Sequence, residues 1–75
     1  MAPEAVVSKV FNVSPREVND ATSNANLPAW DSLGHVTLLL EVEATYGLSL
    51  SAADTLEVTD VASLKRVLRR RGVDW

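Results

Sequence analysis

Few side chains in this sequence can carry covalent chemistry. There is no cysteine and only one histidine, His35, which excludes a disulfide framework, a thiolate nucleophile and a thiolate metal site. His35 cannot hold a metal alone, and no carboxylate cluster surrounds it in sequence. A lone imidazole could serve as a general base or a pH switch. With no nucleophile pattern around it, the favoured reading is a partly buried histidine satisfied by backbone or loop groups. No nucleophile–base pair, metal cluster or phosphate loop is visible, so an enzyme is not expected. What remains is Ser32, a hydroxyl between Asp31 and Leu33, where a polar stretch gives way to an apolar one. On its own it reads as an N-cap serine, a very common use of the residue.

The elements that must position Ser32 are helical, and no run alternates as a strand would. The first helix begins near Pro3 and carries Val6, Val7, Val10 and Phe11 on one stripe. Ser14-Pro15-Arg16-Glu17 has the pattern of a short capped turn, with Glu17 at the capping-box position. Residues 19–29 form a loop: their Asn, Asp, Ser and Thr side chains compete for backbone hydrogen bonds, and Pro28 blocks a helix. Leu27 is expected to tuck the loop onto the core. The second helix starts at Asp31 or Ser32 and runs to Tyr46, where Gly47 stops it. Leu48 and Leu50 can plug the core from a connector. Residues 52–56 form a short third helix. A fourth, capped by Thr59 or Asp60, presents Val61, Leu64, Val67 and Leu68 on one face. The expected fold is all-α, a four-helix bundle with a long first loop and a short third helix, in one domain covering residues 1–75.

The formal net charge of −3 is unevenly placed. Every charged residue from Glu17 to Asp60 is acidic, while Lys65, Arg66, Arg69, Arg70 and Arg71 gather at the end. The acidic middle repels nucleic acid and suits a basic partner, or is simply a solvated face. The arginine run suits the negative end of the last helix. No apolar run reaches the roughly 20 residues needed to cross a bilayer, and the first residues lack a signal-peptide pattern. A cytoplasmic, monomeric protein with no nucleic-acid or membrane partner is expected.

The second helix is unusual on the helical wheel. Leu38, Leu39, Val42 and Tyr46 fall on one side, with His35 near them; Leu33, Val36 and Leu40 fall on the other, with Ala44 continuing that row. The bulkier first set is assigned to the core. The second set, beginning beside Ser32, is either a docking surface or a face covered by the loop 19–28. That loop is polar and poorly suited to covering leucines, which favours docking.

The run Pro28-Ala29-Trp30-Asp31-Ser32-Leu33-Gly34-His35-Val36 resembles the attachment region of acyl and peptidyl carrier proteins, with Asp31-Ser32-Leu33 as its centre. Tyr46-Gly47-Leu48-Ser49-Leu50 and Thr59-Asp60-Val61-Ala62-Ser63-Leu64 are similar to that family's end of the second helix and start of the last. The resemblance covers nearly the whole chain. It implies that a phosphopantetheinyl transferase, using coenzyme A and magnesium, joins 4′-phosphopantetheine to Ser32. The arm's thiol would then carry an acyl group as a thioester, which explains how a chain without cysteine does thiol chemistry. Asp31 would cap the helix or help meet the transferase.

The same resemblance implies partner docking through Leu33, Val36, Thr37, Leu40 and Glu41, with Leu56 and Glu57 on the third helix. The partners would be ketosynthase, acyltransferase or ligase enzymes. The Trp30–His35 run looks like free-standing carriers of polyketide and related secondary pathways. Met1 fits a free-standing chain or an excised domain with an added Met. Gly34, Thr37 and Ala44 depart from the acidic second helix of many members, so docking should lean on apolar contacts. Gly34 is also expected to cost roughly 1 kcal/mol relative to alanine. A peptidyl carrier and an unmodified helical adaptor remain the alternatives.

Overall fold

Pro3 occupies the first position of α1 (Pro3–Phe11), and Asn12 closes it in the left-handed region, φ 55°. These boundaries come from a computed structural model that describes residues 1–75. The Ser14–Glu17 capping box forms as expected around a single 3-10 turn, Pro15–Glu17. The remaining elements are α2 (Ser32–Tyr46), α3 (Ala52–Glu57) and α4 (Val61–Arg70). The fold is therefore all-α with four α-helices and no strand. Gly47 ends α2 with φ 66°, a conformation a Cβ disfavours. Ser51 and Asp60 cap α3 and α4, each with a reciprocal partner at the third helical position. No helix is long and apolar enough to cross a membrane.

The helices are too short to persist alone, and one core unites them. Val6, Val7 and Phe11 of α1, Leu38, Leu39 and Val42 of α2, and Val61, Leu64, Val67 and Leu68 of α4 are buried together, with Val18, Trp30 and Val58. Leu27, Tyr46, Leu48 and Leu50 pack against this cluster half-buried, as their sequence positions implied. The long loop does not lie over the Leu33–Val36–Leu40 face of α2. It is stitched to the start of α4 instead: the Val61 and Ala62 N–H groups donate to the carbonyls of Thr22 and Asp20, both at 3.0 Å. Its polar side chains satisfy its own backbone, as when Asn19 Oδ1 accepts from the Ala21 N–H. The outward face of α2 is thus left bare.

Gly34 has a different role from the one its helix propensity suggests. A Cβ there would collide with the Ala29 carbonyl oxygen and stand 2.9 Å from the Phe11 ring. The loop end packs directly on the backbone of α2's first turn, and only glycine admits that approach.

Two expectations follow. Val42, fully buried, should not tolerate a charge: Val42→Asp should cost about 4 kcal/mol or more and unfold the domain by circular dichroism, whereas Leu40→Asp should melt like the parent. Gly34→Ala, which propensity alone would make stabilising, should instead destabilise by roughly 1–3 kcal/mol through overpacking, read as a lower urea midpoint.

Candidate functional site

The cap of α2 resolves the role of its first residues. Asp31, not Ser32, is the N-cap: its carboxylate accepts from the Gly34 N–H at 2.8 Å. This overturns the simpler expectation of an N-cap serine. Ser32 is the first helical residue, is exposed, and its hydroxyl makes no hydrogen bond within the chain. The N–H groups of Ser32 and Leu33 are equally unengaged, because a first helical turn has no carbonyl one turn earlier to meet them. An unoccupied hydroxyl, two free N–H donors and the positive end of a 15-residue helix therefore coincide.

Beside Ser32 lies an open cleft of about 330 Å³. Trp30, Asp31, Ser32 and His35 form one wall; Thr55, Leu56, Val58 and Thr59 form the other, with Asn24 at the rim. Trp30 is buried and stacks on Phe11 with ring centroids 5.6 Å apart. Its Nε1–H donates to His35 Nδ1 at 3.0 Å, and His35 Nε2 contacts the Thr55 carbonyl oxygen at 3.0 Å. His35 is thus half-buried and satisfied on both sides, as expected. That Trp30 is its partner was not legible from sequence.

The expected docking residues divide into two groups. Leu33, Val36 and Leu40 are 76%, 53% and 60% exposed along one side of α2, and Leu56 of α3 is 81% exposed. Solvent reaches them because no element of the chain crosses that face. Thr37 is exposed among them, its hydroxyl donating to the Leu33 carbonyl at 3.0 Å. A second groove of about 190 Å³, lined by Val36, Leu39, Leu40, Glu43, Leu50 and Thr55, continues the apolar face toward α3. The two carboxylates differ from this group. Glu41 is paired with Lys9, and Glu57 with Arg66 and Arg70, so neither offers an unopposed charge to a partner.

The basic end of α4 does more than meet the helix dipole. Asp54 of α3 is buried and accepts from Arg70 at 2.7 Å and Arg71 at 3.1 Å, while Arg71 also donates to the Ser49 carbonyl. Arg69 lies 5.0 Å over the Trp75 ring. Lys65 joins Glu4 and Asp20, each at 2.6 Å. The arginine run is therefore engaged internally. Sequence proximity could not identify these pairs, since Asp54 and Arg70 lie 16 residues apart. The Ser51 backbone N–H, and after it Arg70, hold the Asp54 carboxyl well below the usual carboxylate range. Arg70 and then Arg66 lower that of Glu57. No group of histidine and carboxylate side chains is arranged to hold a metal ion. No protein-family model matches the chain, and comparison with curated proteins finds no match.

A carboxylate depressed in the fold stabilises at pH values above its unfolded pKa, and that contribution is lost as pH falls through the folded one. The anchoring of α3 should therefore be complete at neutral pH and fail progressively below about pH 4, where carboxylates ordinarily protonate. Asp54→Asn keeps the shape and removes the charge. It should lower the neutral-pH melting temperature and flatten the acid limb of a stability–pH curve measured by thermal circular dichroism.

Proposed function

We propose that this chain is a carrier: Ser32 takes a 4′-phosphopantetheine arm, whose thiol bears an acyl group as a thioester for partner enzymes to build on or move. The observation that carries this reading is the free, exposed Ser32 hydroxyl on the first turn of α2, capped by Asp31 rather than by itself. A serine serving as the helix cap would have its oxygen turned to a backbone N–H. Asp31 and Gly34 set the backbone on either side of it, so a modifying enzyme meets the hydroxyl on a fixed stretch of backbone.

The arm's phosphodiester suits this position. The Ser32 and Leu33 N–H groups and the α2 dipole favour a negative group there, and no carboxylate other than Asp31 lines the adjoining cleft. The transfer would join the Ser32 oxygen to the phosphorus of coenzyme A's pantetheine phosphate, with adenosine 3′,5′-bisphosphate leaving and the hydroxyl proton passing to the transferase or solvent. The chain's own residues present the hydroxyl and receive the charge; they supply no base.

Partner enzymes would meet Leu33, Val36 and Leu40 on α2 and Leu56 on α3, with Thr37 between them. Glu41 and Glu57 are already paired within the chain, so recognition would rest on apolar contact more than on charge. Such a small patch fits brief visits to several enzymes. The resemblance of the Trp30–His35 run to polyketide-type carriers supports a cargo drawn from the acyl groups of secondary pathways. The four-helix arrangement, with its long first loop and short α3, accords with the acyl-carrier type of bundle.

The test is intact mass after incubation with coenzyme A, magnesium and a broad-specificity phosphopantetheinyl transferase. The parent should gain one phosphopantetheine and Ser32→Ala none. A folded parent that gains nothing with several transferases would refute the carrier reading and leave the exposed leucine face to an unmodified adaptor.

A further inference from the structure

The Ser32 hydroxyl makes no bond of its own within the chain, so its place is set by the backbone on either side of it. That backbone is closed into a bracket, in which each of the three residues before Ser32 meets Gly34 or His35 beyond it. The Ala29 carbonyl lies against the bare Cα of Gly34, where a Cβ would collide with it. Asp31 accepts twice at 2.8 Å, on its carboxylate from the Gly34 N–H and on its carbonyl from the His35 N–H. Trp30 donates its Nε1–H to His35 Nδ1 at 3.0 Å. Ser32 and Leu33 form the exposed crest of this bracket.

The Asp31 bonds are those of any capped helix. The Trp30–His35 bond is not, and both of its ends are anchored. Trp30 is buried, stacks on Phe11 of α1 with centroids 5.6 Å apart, and donates its backbone N–H to the Leu27 carbonyl at 2.9 Å. The imidazole lies nearly parallel to the indole, with 18° between the planes, and its Nε2 meets the Thr55 carbonyl of α3 at 3.0 Å. An indole N–H only donates and a carbonyl only accepts, so a side chain at position 35 must accept toward Trp30 and donate toward Thr55. Neutral imidazole with its hydrogen on Nε2 does both, and an aliphatic side chain does neither. The bond thus fastens the head of α2 to α1 and the loop through Trp30, and to α3 through Thr55.

We propose that Trp30 and His35 are positioning residues for arm transfer: their side-chain bond clasps the two ends of the Ser32 turn and fixes the line along which the hydroxyl meets the phosphorus of coenzyme A. Neither residue touches the reacting atoms. A displacement of about 1 Å at a reacting group can cost roughly 100-fold in rate, and supporting side chains locked by packing and hydrogen bonds prevent it. The clasp rests on the carrier reading and adds to it the residues that orient its one functional hydroxyl. Val36, Leu40 and Leu56 lie outside the clasp, so its loss should impair the reaction more than the encounter.

The experiment is steady-state arm transfer from coenzyme A by a broad-specificity phosphopantetheinyl transferase, followed by intact mass over a range of carrier concentrations. Trp30→Phe keeps a ring against Phe11 and removes the N–H. His35→Leu removes both bonds, and His35→Gln can restore them, with its amide oxygen toward Trp30 and its nitrogen toward Thr55. Folded fractions come from thermal circular dichroism. In Trp30→Phe and His35→Leu, kcat should fall about tenfold, as for a misaligned reacting group, with KM within about twofold of the parent. His35→Gln should recover most of the lost kcat. A purely structural role would shrink the folded fraction and raise KM with kcat unchanged, and that result would overturn the clasp. So would a parent-like kcat in both Trp30→Phe and His35→Leu, or a His35→Gln no better than His35→Leu. A parent that takes no arm would overturn the carrier reading and the clasp together. A modified parent matched by all its variants would overturn the clasp alone.

Discussion

The fold depends on α2 being buried on one side only. Leu38, Leu39 and Val42 of α2 join Val6, Val7 and Phe11 of α1 and Val61, Leu64, Val67 and Leu68 of α4 in a common core, with α1 contacting both of the other two helices. A 75-residue chain buries only about 60% of its unfolded surface, so it has no second layer to lay across the opposite face. The segment long enough to cross it, residues 19–29, is committed elsewhere through its bonds to α4. Leu33, Val36 and Leu40 remain in water as a consequence of that commitment. A row of exposed apolar side chains starting at an exposed serine is costly to solubility, and under the carrier reading it is the face that partners touch.

Charge does for α3 what apolar packing does for the longer helices. Six residues cannot sustain a helix alone, and the α3 side chains offer almost no core contribution. Single exposed ion pairs are worth little. Here, however, a buried carboxylate is shared by two guanidiniums and a backbone N–H, and a second carboxylate, Glu57, bridges one of them, Arg70, to Arg66. The segregation of acids to the middle and bases to the end of the sequence is the linear trace of this arrangement. Once folded, the two halves neutralise each other across the α3–α4 contact.

Local signals carried most of the fold. The Ser14–Glu17 box, the stop at Gly47, the loop from Asn19 and the two faces of α2 all depend on residues within about one turn of each other, and all could be read from spacing. Where two caps were one residue apart, spacing could not choose: Asp31 and Ser32 are both good N-caps, and only the geometry gave the cap to Asp31. Gly34 misled for a related reason. Propensity scores a glycine against the helix it sits in, while this one answers to the Ala29 carbonyl and the Phe11 ring of other segments. Trp30 and the arginines were invisible as partners because their contacts join residues whose pairing no periodicity encodes.

The candidate site inherits this division between strong and weak anchoring. Its α2 wall is rigid: Trp30 is buried against Phe11, the loop end rests on Gly34 without a Cβ between, and Asp31 fixes the first turn. Its α3 wall is held chiefly by polar contacts, the ion pairs of Asp54 and Glu57 to α4. Under the carrier reading, these are the properties the two walls need. The hydroxyl must be presented identically to every enzyme, so it sits on a helix anchored in the core through Leu38, Leu39 and Val42. The surface around it must adapt to cargo and to partners of different shape, so it is built from the element with the least core. Moving Ser32 to α3 would reverse both properties, which gives a physical reason for its place at the head of α2.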